Sequence, residues 1–571
     1  MSTRTYSSLP EIRLAGSVLP PELLRRVVRV EVDDRVGLPT VVSVVLIDPD
    51  RDLLDLTDIE VGAELEVSAA PVGDEPRRPM AACEVVSVDI TYSSRESTLT
   101  VRGYDASHRL HRLRRTRSFQ DVTDGDVLRT VAADAGLDVG TVEDPGLVHA
   151  HVAQLNLTDW NFLSARAREC GRVLRVRQSR LELVQPTQAA TAPGPGRLQF
   201  PEAGQLVLGA NVQSLHARIS SAELPSTVEV RGWSPEAKAA VVARAQVTAP
   251  GTDIDTTPEG LTEAVGAPVL VWAATPLSDQ GEADRLASAL AERLGSTFAS
   301  ATLVCQGDPM LLAGRAVSLA LAGGLFSGRW TITAARHTFD TTGYRTTLHL
   351  GGAAEHTLGA FMPEPVERRG SSPLAGVVPG IVTDVADPDA QGRVRVALPW
   401  LSEGYVSDWV RVARPGAGKD RGALLQPEVQ DEVLLTFEHG DARRPYVLGG
   451  LHNGPDAPPL EGGRVDPGSG ESELRGVVSR LGHRLVLDDG PDSTGLTLAT
   501  GSSEVSIILD EAGTGLTLAA KGPVSVTGDT VAVSARSVEL TGDAEVSVKA
   551  PTVNVTADGT LTLRGAMVRI N

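Results

Sequence analysis

Residues 521–571, KGPVSVTGDTVAVSARSVELTGDAEVSVKAPTVNVTADGTLTLRGAMVRIN, hold the clearest internal repeat of the chain. Apolar residues stand two apart at Val524 and Val526, Val531 and Val533, Val538 and Leu540, Val546 and Val548, Val553 and Val555, Leu561 and Leu563, and Val568 and Ile570. The pairs recur every seven or eight residues. Each unit reads as one short strand and a turn, with both apolar side chains on one face, and no unit can bury that face alone. At about 1.5–3 kcal/mol for each buried Val or Leu, the pairs together amount to tens of kcal/mol that a lone chain forgoes. Three chains wound about one axis bury every such face inside a prism and pair the strand edges that otherwise invite aggregation. A stiff, obligately trimeric rod is the expectation.

Outward from the repeat, the chain has 571 residues, enough for about four domains at roughly 150 residues each. Aromatic residues make up only 4% of it, a balance suited to many short strands with thin cores and to close packing between chains. The net charge of -20 opposes wholesale binding to nucleic acid or to an anionic membrane. Cys83, Cys170 and Cys305 lie far apart without CxxC spacing, so neither a zinc site nor a disulfide framework is expected, and a reducing compartment fits. The first residues, MSTRTYSSLPEIRLAG, lack the long apolar stretch of a secretory signal, and no run of about 18 apolar residues occurs anywhere. Synthesis as a soluble cytoplasmic protein is the corresponding expectation.

From Ile12 to Val101 the alternation of VVRVEVDD, ELEVSA and STLTVRG, broken by Pro, Gly and Asp turns, predicts a small β-barrel or sandwich. Two helices follow. The first opens at Thr123 and Asp124, carries Val127, Leu128, Val131 and Ala135, and stops at Gly136; the second opens at Thr158, puts Trp160, Leu163, Ala167 and Cys170 on one face, and stops at Gly171. Cys170 is expected in the core. After TAPGPG, strands such as QLVLGANVQSLHARI and TVEVRGW, a helix carrying Leu286, Leu290 and Leu294 before Gly295, and further strands to Leu350 predict a second barrel. Residues from about Gly376 to Asn453 have the turn-rich texture of a third, small barrel.

VRGYDASHRLHRLRRTRSFQDVTDGDVLRTVAADAGL, followed by QLNLTDWNFLSARARECGRVLRV, resembles the hub module of VgrG and phage late control D proteins. GIVTDVADPDAQGRVRVALPWL and SDWVRVARPGAGKDRGALLQPEVQDEVLLTFEHGDARRPYVLGGLHNG are similar, nearly end to end, to the oligonucleotide-fold (OB) domain of VgrG and baseplate spikes. SRLGHRLVLDDG resembles the entrance to the triple-stranded β-helix of such spikes, so three modules occur in the family's order. The resemblance implies a mainly β protein with a few helices: a hub of two tube-like β-barrels with helical insertions at 1–365, a linker at 366–375, an OB-fold barrel at 376–455, a linker at 456–475, and an intertwined triple-stranded β-helix at 476–571. Val524, Val526, Val531, Val533, Val538, Leu540, Val546, Val548, Val553, Val555, Leu561 and Leu563 would form the trimer core of the β-helix, and Val568, Arg569, Ile570 and Asn571 its cap-facing tip. Further implications are a homotrimer that seats an inner tube protein on the baseplate proteins, a PAAR-type tip protein, possible effector cargo, only transient contact with a target membrane, and expulsion from a phage tail-like particle on sheath contraction.

Sharper chemical readings give way to plainer ones. PGAGKD at Pro415 to Asp420 lacks the first Gly of a phosphate loop and has Asp420 where Ser or Thr should follow the Lys, so a barrel loop is expected. His108, Arg109, His111, Arg112, Arg114, Arg115 and Arg117 form a basic run with acidic flanks and no interleaved aromatics, which reads as a subunit or tube contact or a solvated face. Glu438, His439 and Asp441 read as a hairpin turn, and Asp387 and Asp389 as turn formers without the bidentate Glu of a calcium loop. His483 is the only histidine of the final module, so any metal at the tip would belong to the cap. With no GxSxG elbow and no HExxH helix, the chain is read as a non-enzyme with no catalytic, cofactor or metal residues of its own. A spike with an intrinsic cell-wall hydrolase and a passive trimeric fibre or adhesin are the alternatives. Only about 20 residues separate the small barrel from the spike entrance, where a hydrolase needs about 100 or more.

Overall fold

The computed structural model describes residues 6–57, 59–71, 76–93, 97–197, 201–352, 376–491 and 493–570. The expected linker at 366–375 and the tip residue Asn571 lie outside them. The chain divides into two compact units, Met1–His452 and Asn453–Asn571.

In the first unit the alternation of the opening segment becomes a pleat. Val30 and Val32 of strand Val27–Arg35 and Val42, Val44 and Leu46 of strand Val41–Ile47 point into one core, while Glu31 and Asp33 stay outside it. Leu65, Val67, Leu99 and Val101 from neighbouring strands complete that core. A second core gathers Leu206, Val228, Val230, Leu303, Trp330, Ile332 and Leu348 around one helix. Both cores share the long strand Gly328–Asp340, which pairs with Gly343–Gly351 on one side and with Val27–Arg35 on the other. Ile332 and Ala335 enter the second core; Phe339, opposite Val30, enters the first and stacks on Tyr344 with ring centroids 3.9 Å apart.

Four helices of eight residues or more occur among the described residues: α1 (Asp124–Asp134), α2 (Asp159–Glu169), α3 (Pro258–Val265) and α4 (Gln280–Gly295). Thr123 and Asp126 form a reciprocal capping box at the start of α1, and Thr158 accepts the Asn161 N–H at the start of α2. Gly136 and Gly171 follow the two helices with φ of 64° and 66°, a left-handed conformation that Gly adopts without steric cost. Cys170 is half-buried instead of core: α2 ends one residue before it, and its thiol donates back to the Ala167 carbonyl. α4 buries Leu286 and Leu290 as its spacing predicts. The sequence reading did not find α3, which is one short segment with only Pro258 and Thr262 buried.

Strand His149–Thr158 decides how the remaining parts of this unit meet. Val152 and Leu157 face the core under α1 and α2, whereas Ala153 and Leu155 join Val382, Val396, Tyr405, Val433 and Val447 in the core of the small barrel. A register shift between Gln154 and Leu157, with Asn156 at φ 49°, lets Leu157 point the same way as Val152. The barrel has five strands, with Val377–Asp384 between Arg395–Ala397 and Glu432–Phe437, and Pro445–Gly450 between Glu432–Phe437 and Arg411–Val412.

Asp387 turns the chain inside this barrel as the sequence suggests. Its carboxylate accepts the N–H groups of Asp389, Gln391 and Arg393 and the guanidinium of Arg393, which hold its pKa below the ordinary range. The Pro415–Asp420 segment is a loop closed by reciprocal backbone hydrogen bonds between Gly418 and Arg421. Replacing Asp387 by Ala leaves three N–H groups without that acceptor and is expected to lower the unfolding midpoint of the full chain. Because the carboxylate has a lowered folded-state pKa, its contribution is complete above the usual Asp value near 3.9 and declines only as pH falls through the lower folded-state value. Wild type and variant should therefore differ at pH 7 and converge in strong acid; equal midpoints at pH 7 in thermal scans would remove the turn-locking role.

Candidate functional site

A buried network of charged side chains in the first unit lies where the barrel meets α2 and the segment before α4. Between strands Glu432–Phe437 and Pro445–Gly450 the chain turns through His439, whose φ is 52°, and then presents Asp441, Arg443 and Arg444. Arg443 donates to Asp441 at 2.8 Å and to Glu169 of α2 at 3.3 Å. Glu169 also takes Arg166, whose Nε donates to Asp124 of α1 at 2.7 Å. His149 Nε2 sits 2.7 Å from Arg166 Nη2, and His149 Nδ1 lies 3.9 Å from Glu282 of α4. Arg444 donates to Ser278 at 2.8 Å. Two consecutive arginines thus tie one barrel turn to two separate parts of the larger body.

Asp124, Arg166 and Asp441 are buried, so the relay is an ion-pair network inside the unit. Burial alone would raise the Asp124 pKa, but His149 and the Arg166 guanidinium outweigh it and bring the value to about 2. For Asp441 too, burial works upward and the Arg443 guanidinium prevails, holding the group below the carboxylate range. Removing one member of such a network strands the others, which is what makes the seam stiff. The sequence reading saw the turn but not its docking role. The only local signal is the adjacent pair Arg443 and Arg444 after Asp441 in a tight turn, and their partners lie more than 150 residues away.

Most of the basic run is likewise occupied inside the chain. Arg109 pairs with Glu84, and Arg115 and Arg117 reach Asp159, at 3.4 and 2.8 Å, as well as Asp134. Strand Arg114–Val122 places Arg115 and Arg117 on the side of the acids of α1 and α2, so the run staples the insertion and is not a free cationic face. The thiols offer little nucleophilic character: burial pushes Cys170 and Cys305 up to about 12 and Cys83 higher still. Among the described residues no group of three or more His, Cys, Asp and Glu side chains is placed to hold a metal ion.

The second unit begins with five antiparallel strands, from Leu474–Val478 through Gly515–Ala520, in sequential order. His483 accepts the Gly501 N–H through Nδ1 at one turn of this meander. Beyond Ala520 no described residue lies in a strand pairing within one chain. Every repeat residue named above is exposed. The first members, Val524, Val531, Val538, Val546, Val553, Leu561 and Val568, keep 51–63% of their surface, and the second members, Val526, Val533, Leu540, Val548, Val555, Leu563 and Ile570, keep 63–83%. Arg569 at the tip is also exposed.

The small five-stranded barrel and the fold of the larger body around it are what comparison with known proteins matches. Residues 378–452 match the family model for the Type VI secretion system/phage-baseplate injector OB domain. Residues 13–341, more than half of the chain, match the model described as the Alg8 N-terminal domain, and the chain belongs to that family. Among curated relatives are the Type VI secretion system spike proteins VgrG2a and VgrG1a of Pseudomonas aeruginosa, 33% identical over 104 residues and 34% over 103 residues. Each alignment covers 17% of this chain, and only 12% and 16% of the two relatives. The VgrG-like fold extends much further: a solved Francisella PdpA-VgrG complex in a half-lidded form superposes over 90% of this chain and 88% of its own, with a TM-score of 0.51 at 9% identity.

The seam yields a double-mutant prediction. Arg443→Met and Glu169→Gln should each destabilise the full chain by about 1–2 kcal/mol, less than for a fully buried pair, because the two side chains keep 24% and 34% of their surface. The double variant should fall short of the sum by about 1 kcal/mol or more in urea unfolding; additivity within about 0.5 kcal/mol would mean that the two do not interact. Asp124 sets the acid limit. Its stabilising effect is complete above the ordinary Asp pKa near 3.9, declines below it and is gone once pH has fallen through about 2, so limited proteolysis should begin to open the seam only within that window.

Proposed function

We propose that this chain is the central spike of a contractile injection apparatus: a homotrimer whose hub seats an inner tube protein on the baseplate, and whose C-terminal repeats form a needle that punctures a target envelope when a sheath contracts. The observation that carries the reading is the uncovered apolar ladder from Val524 to Ile570, downstream in the chain of an injector OB domain and a five-stranded meander. Fourteen exposed Val, Leu and Ile side chains at a period of seven or eight residues are soluble only if something covers them, and two further copies related by a threefold axis do so with identical chemistry at every level. The five-stranded meander repeats the theme, since Val505, Ile507, Leu509, Leu516 and Leu518 are also exposed.

On this reading residues 1–365 are the hub, 376–455 the barrel that passes load from hub to needle, and 476–571 the needle, with Val524 to Leu563 as its trimer core. Val568, Arg569, Ile570 and Asn571 face a PAAR-type cap, and effector cargo travels with the assembly. The protein is made in the cytoplasm and leaves in a phage tail-like particle. A mechanical part, not a catalyst, fits the raised thiol pKa values and the use of the charge network at the seam as a structural tie.

Light scattering on the purified chain tests the assembly. One chain weighs 59.9 kDa, so the expected particle has a mass of about 180 kDa by threefold symmetry. A chain truncated after Gly470 should lose most of the heat resistance of the trimer, because the apolar term lies in the repeats. A soluble, stable monomer of the full chain would overturn the needle. Val546→Asp and Val553→Asp together should weaken the trimer and leave the hub folded, as read by the dissociation midpoint against concentration.

A further inference from the structure

The seam encloses more space than its ion pairs fill. A cavity of about 580 Å³ opens between strand His149–Thr158, the segment leading into α4, and the barrel turns around Arg411 and Arg443. Its wall carries guanidinium groups that the relay does not use. Arg285 of α4 has a buried Nη2 with no hydrogen-bond partner. The Arg444 side chain donates to Ser278 and lies close enough to Asp441 to feel its charge, and Arg411 lies over the Tyr446 ring, 5.8 Å from its centroid. His151 lines the same cavity, keeps only 8% of its surface, and has no well-formed hydrogen bond on either ring nitrogen, with the Val406 backbone as a polar neighbour. Tyr405 meets the imidazole edge-on, with ring centroids 5.8 Å apart, which fixes the ring plane.

Unsatisfied buried polar atoms are destabilising, and such groups in native proteins normally have a partner in the protein, in water or in a ligand. Here the unmet groups are mainly donors. A guanidinium only donates, and a neutral imidazole donates from one nitrogen and accepts at the other. The wall carboxylates are mostly engaged elsewhere: Asp124 and Glu169 hold the relay arginines, Asp279 caps α4, and Glu282 faces His149. We propose that this cavity binds a small, multiply charged oxyanion of the phosphate or polycarboxylate class, held by Arg285 and Arg444 with His151 as donor to one of its oxygens. Arg411, exposed at the rim, draws the anion inward. A partly protonated oxyanion suits the site, because its remaining O–H can point to Asp408, which also lines the cavity. The site lies wholly in the first unit, and its occupancy does not depend on the spike reading.

Titration of the full-length protein with inorganic phosphate, and separately with citrate, by isothermal calorimetry tests the site directly. One anion per chain with saturable heat is expected, together with a rise of the unfolding midpoint that exceeds the effect of sodium chloride at matched ionic strength. Arg285→Met should weaken binding at least tenfold, and His151→Phe, which keeps the ring packing on Tyr405, should do the same. No saturable heat with either anion would overturn the proposal. So would a midpoint rise that simply follows ionic strength, or wild-type binding in both variants.

Discussion

The pairing of strand Gly328–Asp340 with Val27–Arg35 holds the larger unit together. One strand supplies Ile332 and Ala335 to one hydrophobic core and Phe339 to another, so neither core can open without disturbing the other. The junction is a backbone ladder reinforced by side chains: Arg336 donates to Asp33, and His337, fully buried, links Tyr344 to the Leu311 carbonyl. Burial pushes His337 down to about 4, so it stays neutral at physiological pH and puts no charge into this joint. A body built this way resists shear, because sliding one core past the other breaks every bond of the ladder at once.

The barrel adds to that body by two different means. Ala153 and Leu155 give it part of its own hydrophobic core from the insertion, a non-directional attachment, while Arg443 and Arg444 fix its orientation through Glu169 and Ser278. Apolar burial supplies most of the affinity between parts, and paired charges supply register. A seam with both properties suits a component through which load passes. A cavity with unmet arginine groups lies at this seam, where the barrel, the insertion and the segment before α4 meet.

Much of this was legible from the residues. The capping signals at Thr123 and Thr158, the stops at Gly136 and Gly171, the leucines of α4 and the turn at Asp387 are local patterns whose physics acts within a few residues, and the structure has them where the sequence placed them. The barrel was readable as a family pattern over most of its length, in agreement with the injector OB domain match. The basic run was legible as charge but not as destination. Arg115 and Arg117 look like a binding face in one dimension, and only the fold brings Asp134 and Asp159 beneath them. Cys170 shows the same limit on a smaller scale, since helical spacing predicted a buried face and the helix ended one residue early.

By itself the sequence determined the β-rich texture, the ends of the two capped helices and the periodic apolar ladder, because each follows from local sterics, capping or short-range periodicity. Only the tertiary structure decided that Gly328–Asp340 would serve two cores, that a barrel turn would lock onto α2, and that His151 and Arg285 would line one cavity. Those contacts join residues more than a hundred positions apart, and no local rule chooses among the possible partners. The choice is made by which faces remain apolar or unpaired once the local elements exist, and by the free energy of covering all of them together.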